Sequence, residues 1–414
     1  MRSAVRWITI IVACTGLSGV ATAASPAPST NPRPWAQDLA VLDAGVRAYH
    51  PAPFAINPES AWVAKLAELE LSLPTASPDE QIVGVSSLVG LLDTHSWLTA
   101  PSHTYDMLAY PFADGWFVVR ASDPSLVGSR VVSIDGTPIA QVEATMRPLV
   151  PADNESGELD GLQVPMSSVE LLHGTGIVAD PAKPGYVFQR PDGSQVTADL
   201  GSATIDDWAA QLHVIGDLVG DAPEAVARRG EPIWTRLDPA SRTFLISFND
   251  YTEVGRSEAI AAMEAALDDG SADRVVLDMR YLRGGDGSLA FPLIDALAGD
   301  ARLSRPGALV VLIGRENVSA GTLVAAELDK RTSAVFVGEM TPARADNFRC
   351  DCHDIALPNS GFTVTVPTFW GRTGDTRDAI HPDIPMSLSA ADFFAGRDPV
   401  LDAVLAGPRP STAP

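Results

Sequence analysis

Residues 273–299 are DRVVLDMRYLRGGDGSLAFPLIDALAG, and residues 308–328 are ALVVLIGRENVSAGTLVAAEL. Each stretch begins with a short apolar run, passes through a turn and continues with a helical pattern. Gly284-Gly285 forms the first turn, and Ser319 opens the second helix. Strands that alternate with helices predict a parallel sheet covered by helices, with both turns at one edge. Backbone amides and a hydroxyl would converge there, as acyl-transfer chemistry requires.

The same alternation extends over residues 242–390 and predicts an α/β core. A hairpin is predicted near its end, where Ile355–Leu357 and Phe362–Thr368 flank a Pro-Asn-Ser-Gly turn. The predicted strands of the core are Thr243–Phe248, Val275–Met279, Leu309–Ile313 and Ala334–Val337, and the predicted helices are Glu258–Leu267, Ser288–Leu297 and Ala320–Leu328.

Two further units precede this core. Residues 35–104 have apolar residues at helical spacing and a capping box at Ser77–Glu80, which predicts a small helical domain. Residues 105–201 change to a period of two with frequent turns, which predicts a β-rich module. Residues 202–241 are interpreted as a connector and residues 391–414 as a C-terminal tail.

The first residues have the pattern of a bacterial export signal. Arg2 and Arg6 precede an apolar run that ends at Ala21-Thr22-Ala23, so we expect a signal peptide over residues 1–23 and a linker over 24–34. The mature protein would be secreted, periplasmic or held in the cell envelope. Cleavage before Cys14 with lipidation is the less favoured alternative. No later run is long enough to predict a membrane span.

Composition limits the possible partners. The chain has 414 residues, enough for two or three domains. Its 52 acidic and 29 basic residues give a net charge of −23, which argues against nucleic acid and anionic membrane surfaces. Nothing in the sequence indicates the oligomeric state.

The cysteines leave two alternatives open. Cys350 and Cys352 could form a disulfide outside the cytosol, although the ring is small and its entropic gain slight. Together with His353 they could instead bind a metal, but structural zinc prefers four ligands at wider spacing. We therefore place no metal and no cofactor in the predicted site.

Ser319 is the candidate nucleophile, and it needs a base. The alternative is that its hydroxyl caps the helix that follows, as serine often does. Of the lysines only Lys330 lies nearby, and it is roughly 16 Å along the helix axis from Ser319. His95, in a polar loop beside an acid, is the preferred base; otherwise it is an ordinary surface histidine.

Six motifs in order resemble the tail-specific protease family (C-terminal processing peptidases, S41), in its histidine-using branch with the tricorn core and retinoid-binding repeats. The resemblance covers about residues 36–386. The motifs are Asp93-Thr94-His95, Leu277-Asp278-Met279-Arg280 with Gly284-Gly285, Val318-Ser319-Ala320, Gly338-Glu339-Met340-Thr341, Leu357-Pro358-Asn359-Ser360 and Pro382-Asp383-Ile384.

The resemblance implies a fold and a set of roles. The fold would be a multidomain α+β chain: a crotonase-like, ClpP-like α/β core, an N-terminal helical domain and a PDZ-like β-module. Ser319 would attack a peptide carbonyl with His95 as base, and the amides of Gly284 or Gly285 and of Ala320 would stabilise the oxyanion. Thr94 would orient His95.

The acid that completes such a site is left open by the sequence. Asp375 is preferred from the motif register, with Asp378 and Glu339 as alternatives. Two positions depart from the family pattern: Leu282 replaces an asparagine near the oxyanion site, and Arg344 stands where the lysine branch has its base. Arginine cannot serve as that base because it does not deprotonate.

The sequence thus predicts an exported serine peptidase that acts on peptide or protein substrates. The alternative is a non-catalytic protein that binds a peptide or an apolar ligand on the same fold.

Overall fold

The computed structural model describes residues 34–100, 102–204, 222–346, 348–371 and 373–407. The predicted signal peptide, most of the predicted linker and Cys14 lie outside these residues, so their roles stay predictions. None of the described helices is long and apolar enough to cross a bilayer.

Three helices and a short strand form the N-terminal helical unit: α1 (Pro34–Tyr49), α2 (Glu59–Ser72), α3 (Pro78–Val89) and β1 (Trp97–Thr99). The predicted capping box starts α3, since Ser77 and Glu80 each accept the other's backbone amide. The helix α1 ends directly before His50-Pro51, because the residue before a proline is disfavoured in the α region.

An antiparallel sheet dominates the next part, with strand order β3-β4-β5-β7-β8. It was predicted as β-rich, but it also contains two helices that the sequence did not indicate, Glu155–Gly161 and Val169–Gly174. That the module is PDZ-like stays a prediction. Its elements are β2 (His103–Tyr105), β3 (Met107–Phe112), β4 (Gly115–Ala121), β5 (Arg130–Ile134), β6 (Thr137–Pro138), α4 (Ile139–Met146), α5 (Glu155–Gly161), α6 (Val169–Gly174), β7 (Gly185–Gln189), β8 (Gln195–Asp199) and β9 (Ser202–Thr204).

The α/β core is built on a six-stranded sheet of order β10-β11-β12-β13-β14-β19, in which β19 is Ile384–Pro385. The first strand is antiparallel to its neighbour and the other pairs are parallel, which confirms the predicted fold class. Its elements are α7 (Glu224–Ala227), β10 (Ile233–Asp238), β11 (Thr243–Phe248), α8 (Arg256–Asp268), β12 (Arg274–Asp278), α9 (Phe291–Gly299), β13 (Leu309–Ile313), α10 (Ala320–Arg331) and β14 (Val335–Gly338).

Two segments of this core differ from the predictions. The predicted connector contains the edge strand β10, which pairs with β11 along its whole length. The predicted tail contains α11 (Ala390–Phe393) and α12 (Pro399–Ala406), where Val400 and Leu401 pack with Leu245 in a buried cluster. The described residues of β10, α11 and α12 bury apolar side chains, so these three elements belong to the folded core.

The hairpin near the end of the core packs on the N-terminal helical unit. Its strands β16 (His353–Ala356) and β17 (Thr363–Val366) form a three-stranded sheet with β1, and Ile355 packs so closely on α1 that a Cβ at Gly45 would lie 2.8 Å from its Cδ1. The first and last parts of the chain therefore share one hydrophobic core. Three two-residue strands complete the described elements: β15 (Phe348–Arg349), β18 (Phe369–Trp370) and β19 (Ile384–Pro385).

Candidate active site

The two predicted turns meet at one edge of the parallel sheet. The strands β12 and β13 are parallel neighbours, and each leads into its turn at its carboxyl end. We call residues 279–287 the glycine turn and residues 314–320 the serine turn. A Cβ placed on Gly284 would lie 3.1 Å from Cβ and 3.4 Å from Oγ of Ser319. The structure therefore brings Gly284 and Ser319 together.

Ser319 has a strained backbone at the start of α10. Its φ is 57° and its ψ is −120°, a conformation that costs a residue with a Cβ about 1–3 kcal/mol. Ser319 occupies the N-cap position of α10, but its hydroxyl does not accept the hydrogen bond from a helix amide that a capping serine accepts. The strain is therefore not repaid by capping, and strain of this kind is typical of functional sites.

Asn317 ties the two turns together, and sequence reasoning missed it. Its side chain is fully buried; Oδ1 accepts the amide of Gly314 at 2.8 Å, and Nδ2 donates to the carbonyls of Leu282, at 3.0 Å, and Met279. A polar residue two positions before the candidate nucleophile was the available signal. Leu282, which departs from the family pattern, contributes its side chain to the hydrophobic core and its carbonyl to this contact.

The glycine turn offers backbone donors beside Ser319. Within the described part of the chain, no group accepts a hydrogen bond from the amides of Gly284 or Gly285. A Cβ on Gly285 would lie 2.4 Å from Cδ2 of Tyr251, so this position excludes a side chain. Ala320 follows Ser319 as the first residue of α10, where amides lack intrahelical partners. Gly284, Gly285 and Ala320 therefore all lie on the two turns that meet at Ser319.

Buried ion pairs hold the glycine turn in place through Arg283. Arg283, directly before Gly284, donates to Asp160 at 2.6 Å and to Glu316 at 3.0 Å, and Arg229 also donates to Glu316. Burial alone would raise the pKa of Glu316, but the two guanidinium groups lower it below its usual value. Burial raises the pKa of Asp160 even though Arg283 opposes that shift. The anchor links the β-rich module to the core.

His95 is buried and its ring has no hydrogen bond. It lies on the loop of residues 90–96 between α3 and β1, which we call the His95 loop, and is 6% exposed. Both ring nitrogens are shielded from solvent, and neither has a hydrogen-bond partner. The alternative of a surface histidine is therefore wrong. The structure shows no hydrogen bond between His95 and Ser319, although such bonds often form only once substrate is bound.

Thr94 fixes the His95 loop against the core. Its hydroxyl accepts the amide of Asp153 at 3.0 Å and donates to the carbonyl of Pro342 at 3.4 Å. The carboxylate of Asp153 accepts the amides of Thr94 at 3.1 Å and Arg344 at 2.9 Å. Thr94 makes no hydrogen bond to the imidazole, so in this structure it orients the loop and not the His95 ring.

None of the three acids proposed from the sequence holds His95 among the described residues. Asp375 accepts hydrogen bonds from Arg377, whose side chain lowers its pKa. Asp378 is exposed and pairs with His381 at 2.9 Å, and Glu339 pairs with Arg315. The preference for Asp375 therefore needs correction, because its carboxylate is hydrogen-bonded to the guanidinium group of Arg377, two residues along the chain.

Asp93 is the acid that lies beside His95. Its Oδ1 accepts the backbone amide of His95 at 2.8 Å and lies 3.7 Å from Nδ1 of the same residue. The side chain of Asp93 is 1% exposed. Sequence reasoning noted Asp93 as the acid beside His95 and as part of a motif, but sought the acid that orients the imidazole elsewhere.

The described residues hold no group of three or more metal-ligating side chains. Cys350 and Cys352 form a disulfide, so their thiolates are not available to a metal in this structure. His353 instead stacks its ring on Tyr49, with the ring centroids 3.5 Å apart. These residues lie outside the candidate active site.

Comparison with known proteins identifies the fold. No protein-family model and no curated protein matches the sequence. Mature CPAF is similar in structure with a TM-score of 0.61 and 15% identity, over 90% of this chain and 96% of that one. CPAF complexed with lactacystin gives a TM-score of 0.62 and 15% identity, over 90% and 97% of the two chains. The photosystem II D1 C-terminal processing protease, at a TM-score of 0.40 and 14% identity over 87% and 98%, is too distant to carry an argument.

This similarity extends over nearly the whole of the CPAF chain. At 15% identity it establishes the fold alone. The predicted multidomain α/β fold is thus confirmed.

Proposed function

We propose that this protein is an exported serine peptidase that cleaves peptide or protein substrates. Ser319 is the nucleophile, His95 takes and returns the proton, and backbone amides of the glycine turn and of Ala320 stabilise the oxyanion. The observation that carries the proposal is the strained backbone of Ser319 against Gly284 at the edge of the parallel sheet. The export step rests on the sequence pattern of residues 1–23.

The chemistry follows from what each group can supply. The hydroxyl of Ser319 attacks the substrate carbonyl as Nε2 of His95 accepts its proton, and the negative oxygen that forms needs two donors close by. The amides of Gly284 and Gly285 point to no acceptor in the described residues, so they can donate to that oxygen without breaking an existing bond. His95 then returns the proton to the leaving amine, and the acyl group stays on Ser319 as an ester. A water molecule, deprotonated by His95, hydrolyses this ester; the acid product leaves and the proton returns to the hydroxyl of Ser319.

A non-catalytic binding role explains less of this geometry. Such a role does not explain why the backbone of Ser319 is strained or why an imidazole without a hydrogen bond is buried at His95. Both features cost free energy. Arg344 is the other departure from the family pattern. Its backbone amide donates a hydrogen bond to Asp153, and its guanidinium group donates one to the carbonyl of Ala55. It thus has a structural role that is compatible with a histidine base.

A fluorophosphonate probe tests the proposal because it reacts with activated serines. We expect the wild type to be labelled, Ser319→Ala to be unlabelled, and His95→Ala to react far more slowly. Ser288→Ala is the matched control, since Ser288 lies exposed directly after the glycine turn and its hydroxyl donates to Asp286. A folded wild-type protein that neither reacts with the probe nor binds lactacystin, the ligand of the similar CPAF complex, would contradict the proposal.

A further inference from the structure

The His95 loop and the end of α1 form a buried row of three side chains: His50, Asp93 and His95. We propose that Asp93 is the positioning residue for His95 and that His50 holds Asp93 in place through a hydrogen bond to its Oδ2. This inference rests on the proposed function, because it assigns the acid that the peptidase mechanism needs. It replaces the three acids considered from the C-terminal part of the sequence.

The short spacing between Asp93 and His95 places the carboxylate beside the imidazole. Oδ1 of Asp93 accepts the amide of His95 at 2.8 Å, which closes a turn of two residues. The same oxygen lies 3.7 Å from Nδ1 of the ring. That separation exceeds a hydrogen bond, so the pairing that we propose requires the ring to move towards Oδ1.

His50 is held in one tautomer. The amide of Ala52 donates to Nδ1 of His50 at 3.1 Å, so in the neutral ring the proton sits on Nε2. Nε2 then donates to Oδ2 of Asp93, and the hydroxyl of Ser96 donates to the same oxygen at 3.3 Å. Oδ2 is thereby occupied, which leaves Oδ1 as the oxygen that faces His95.

These contacts keep Asp93 ionised inside the protein. Burial alone would raise the pKa of Asp93, but the hydrogen bonds that it accepts from the side chain of His50 and the amide of His95 help to lower it below its usual value. A buried carboxylate beside Nδ1 favours the tautomer with the proton on Nδ1 and stabilises the imidazolium. Nε2 is then the nitrogen that can accept the proton of Ser319.

The other charged groups near His95 are less suited to this role. Asp153 is the second buried acid, and its carboxylate already accepts the amides of Thr94 and Arg344. Burial raises the pKa of Asp153, and the charge of Asp93 raises it further. Of the described acids, only Asp93 has a carboxylate oxygen within 4 Å of a ring nitrogen of His95.

The experiment compares Asp93→Asn with the wild type in the full chain. Asparagine keeps an oxygen for the His95 amide but removes the charge, so the fluorophosphonate labelling rate should fall about 10²- to 10⁴-fold. The acid limb of the rate against pH should move to lower pH by about 1 pH unit, because the imidazolium loses its neighbouring charge. A purely structural role would lower the amount of folded protein without moving that limb.

Two further variants separate positioning from folding. Asp38→Asn removes another fully buried acid, one that accepts the amides of Asn359 and Ser360; it should cost stability and leave the pH profile unchanged. His50→Gln retains a donor for Asp93 and should keep more activity than His50→Phe, which leaves Oδ2 without that partner.

A readout independent of activity is the NMR titration of the His95 ring, assigned by comparison with His95→Ala. Its midpoint should be lower in Asp93→Asn than in the wild type and unchanged in Asp38→Asn. Equal midpoints in wild type and Asp93→Asn would overturn the inference even if Ser319 is labelled. Absence of labelling together with a shifted midpoint would overturn the peptidase proposal and keep the contact between Asp93 and His95.

Discussion

Gly284 and Ser319 approach so closely that a Cβ on the glycine would lie 3.1 Å from Cβ of the serine. They lie on turns that follow two neighbouring parallel strands, and Asn317 joins those turns through hydrogen bonds. This contact defines the candidate active site, and the first prediction follows from it.

Gly284→Ala should impair the site without unfolding the protein. The added methyl group must displace Ser319 or the glycine turn by a few tenths of an ångström, which we expect to lower the fluorophosphonate labelling rate about 10- to 100-fold. Gly299→Ala is the control, because a Cβ there meets nothing within 4 Å. Similar labelling of both variants would show that the contact between the two turns does not matter.

Replacement of Ser319 should reveal its backbone strain. Glycine tolerates a φ of 57° with a ψ of −120°, whereas alanine does not. The free energy of unfolding of Ser319→Gly should therefore be about 1 kcal/mol higher than that of Ser319→Ala. This difference already allows for the greater chain entropy that glycine has in the unfolded state. At Ser288, which has no positive φ, the order should be reversed. Urea unfolding measures both pairs, and an alanine variant more stable at both positions would count against strain at Ser319.

The buried ion pairs of Arg283 should contribute far more to the free energy of unfolding than exposed ion pairs do. Arg283→Met leaves the buried carboxylate of Asp160 without its partner and should lower the free energy of unfolding by about 3–5 kcal/mol. Arg331→Met breaks an exposed pair with Asp295 and should cost less than about 1 kcal/mol. Equal losses in urea unfolding would contradict the anchoring role of Arg283.

Asp398 should contribute stability that depends on pH. Burial alone would raise its pKa, but Arg280 lowers it below the usual value of an aspartate. Because the folded-state pKa is the lower one, the contribution is full above the unfolded value of about 3.9 and is lost as the pH falls through the folded value. The difference in unfolding free energy between wild type and Asp398→Asn should thus shrink between about pH 5 and pH 2. A difference that stays constant over this range would contradict the role assigned to Arg280.

The sequence predicted the parallel core well because its signals are local. Buried apolar runs located β11, β12, β13 and β14 to within one residue at each end, and the rule for parallel neighbours brought Gly284 to Ser319. The edge strand β10 escaped notice because its burial is uneven and it sits in a stretch with Gly and Pro.

Other features depend on contacts between distant parts of the chain. The hairpin β16–β17 pairs with β1, and nothing in either segment alone indicates that partner. The link between His50 and Asp93 likewise requires the end of α1 to pack on the His95 loop. The preference for Asp375 overlooked a local signal. Arg377 lies two residues away in the sequence, close enough to form the hydrogen bond with Asp375 that the structure shows.

Mass spectrometry of the protein after reaction with a fluorophosphonate tests directly whether Ser319 is a nucleophile that His95 activates. We expect a single adduct on the peptide that contains Ser319, formed quickly in the wild type and much more slowly in His95→Ala. An adduct on another serine, or a rate at Ser319 that does not depend on His95, would contradict it.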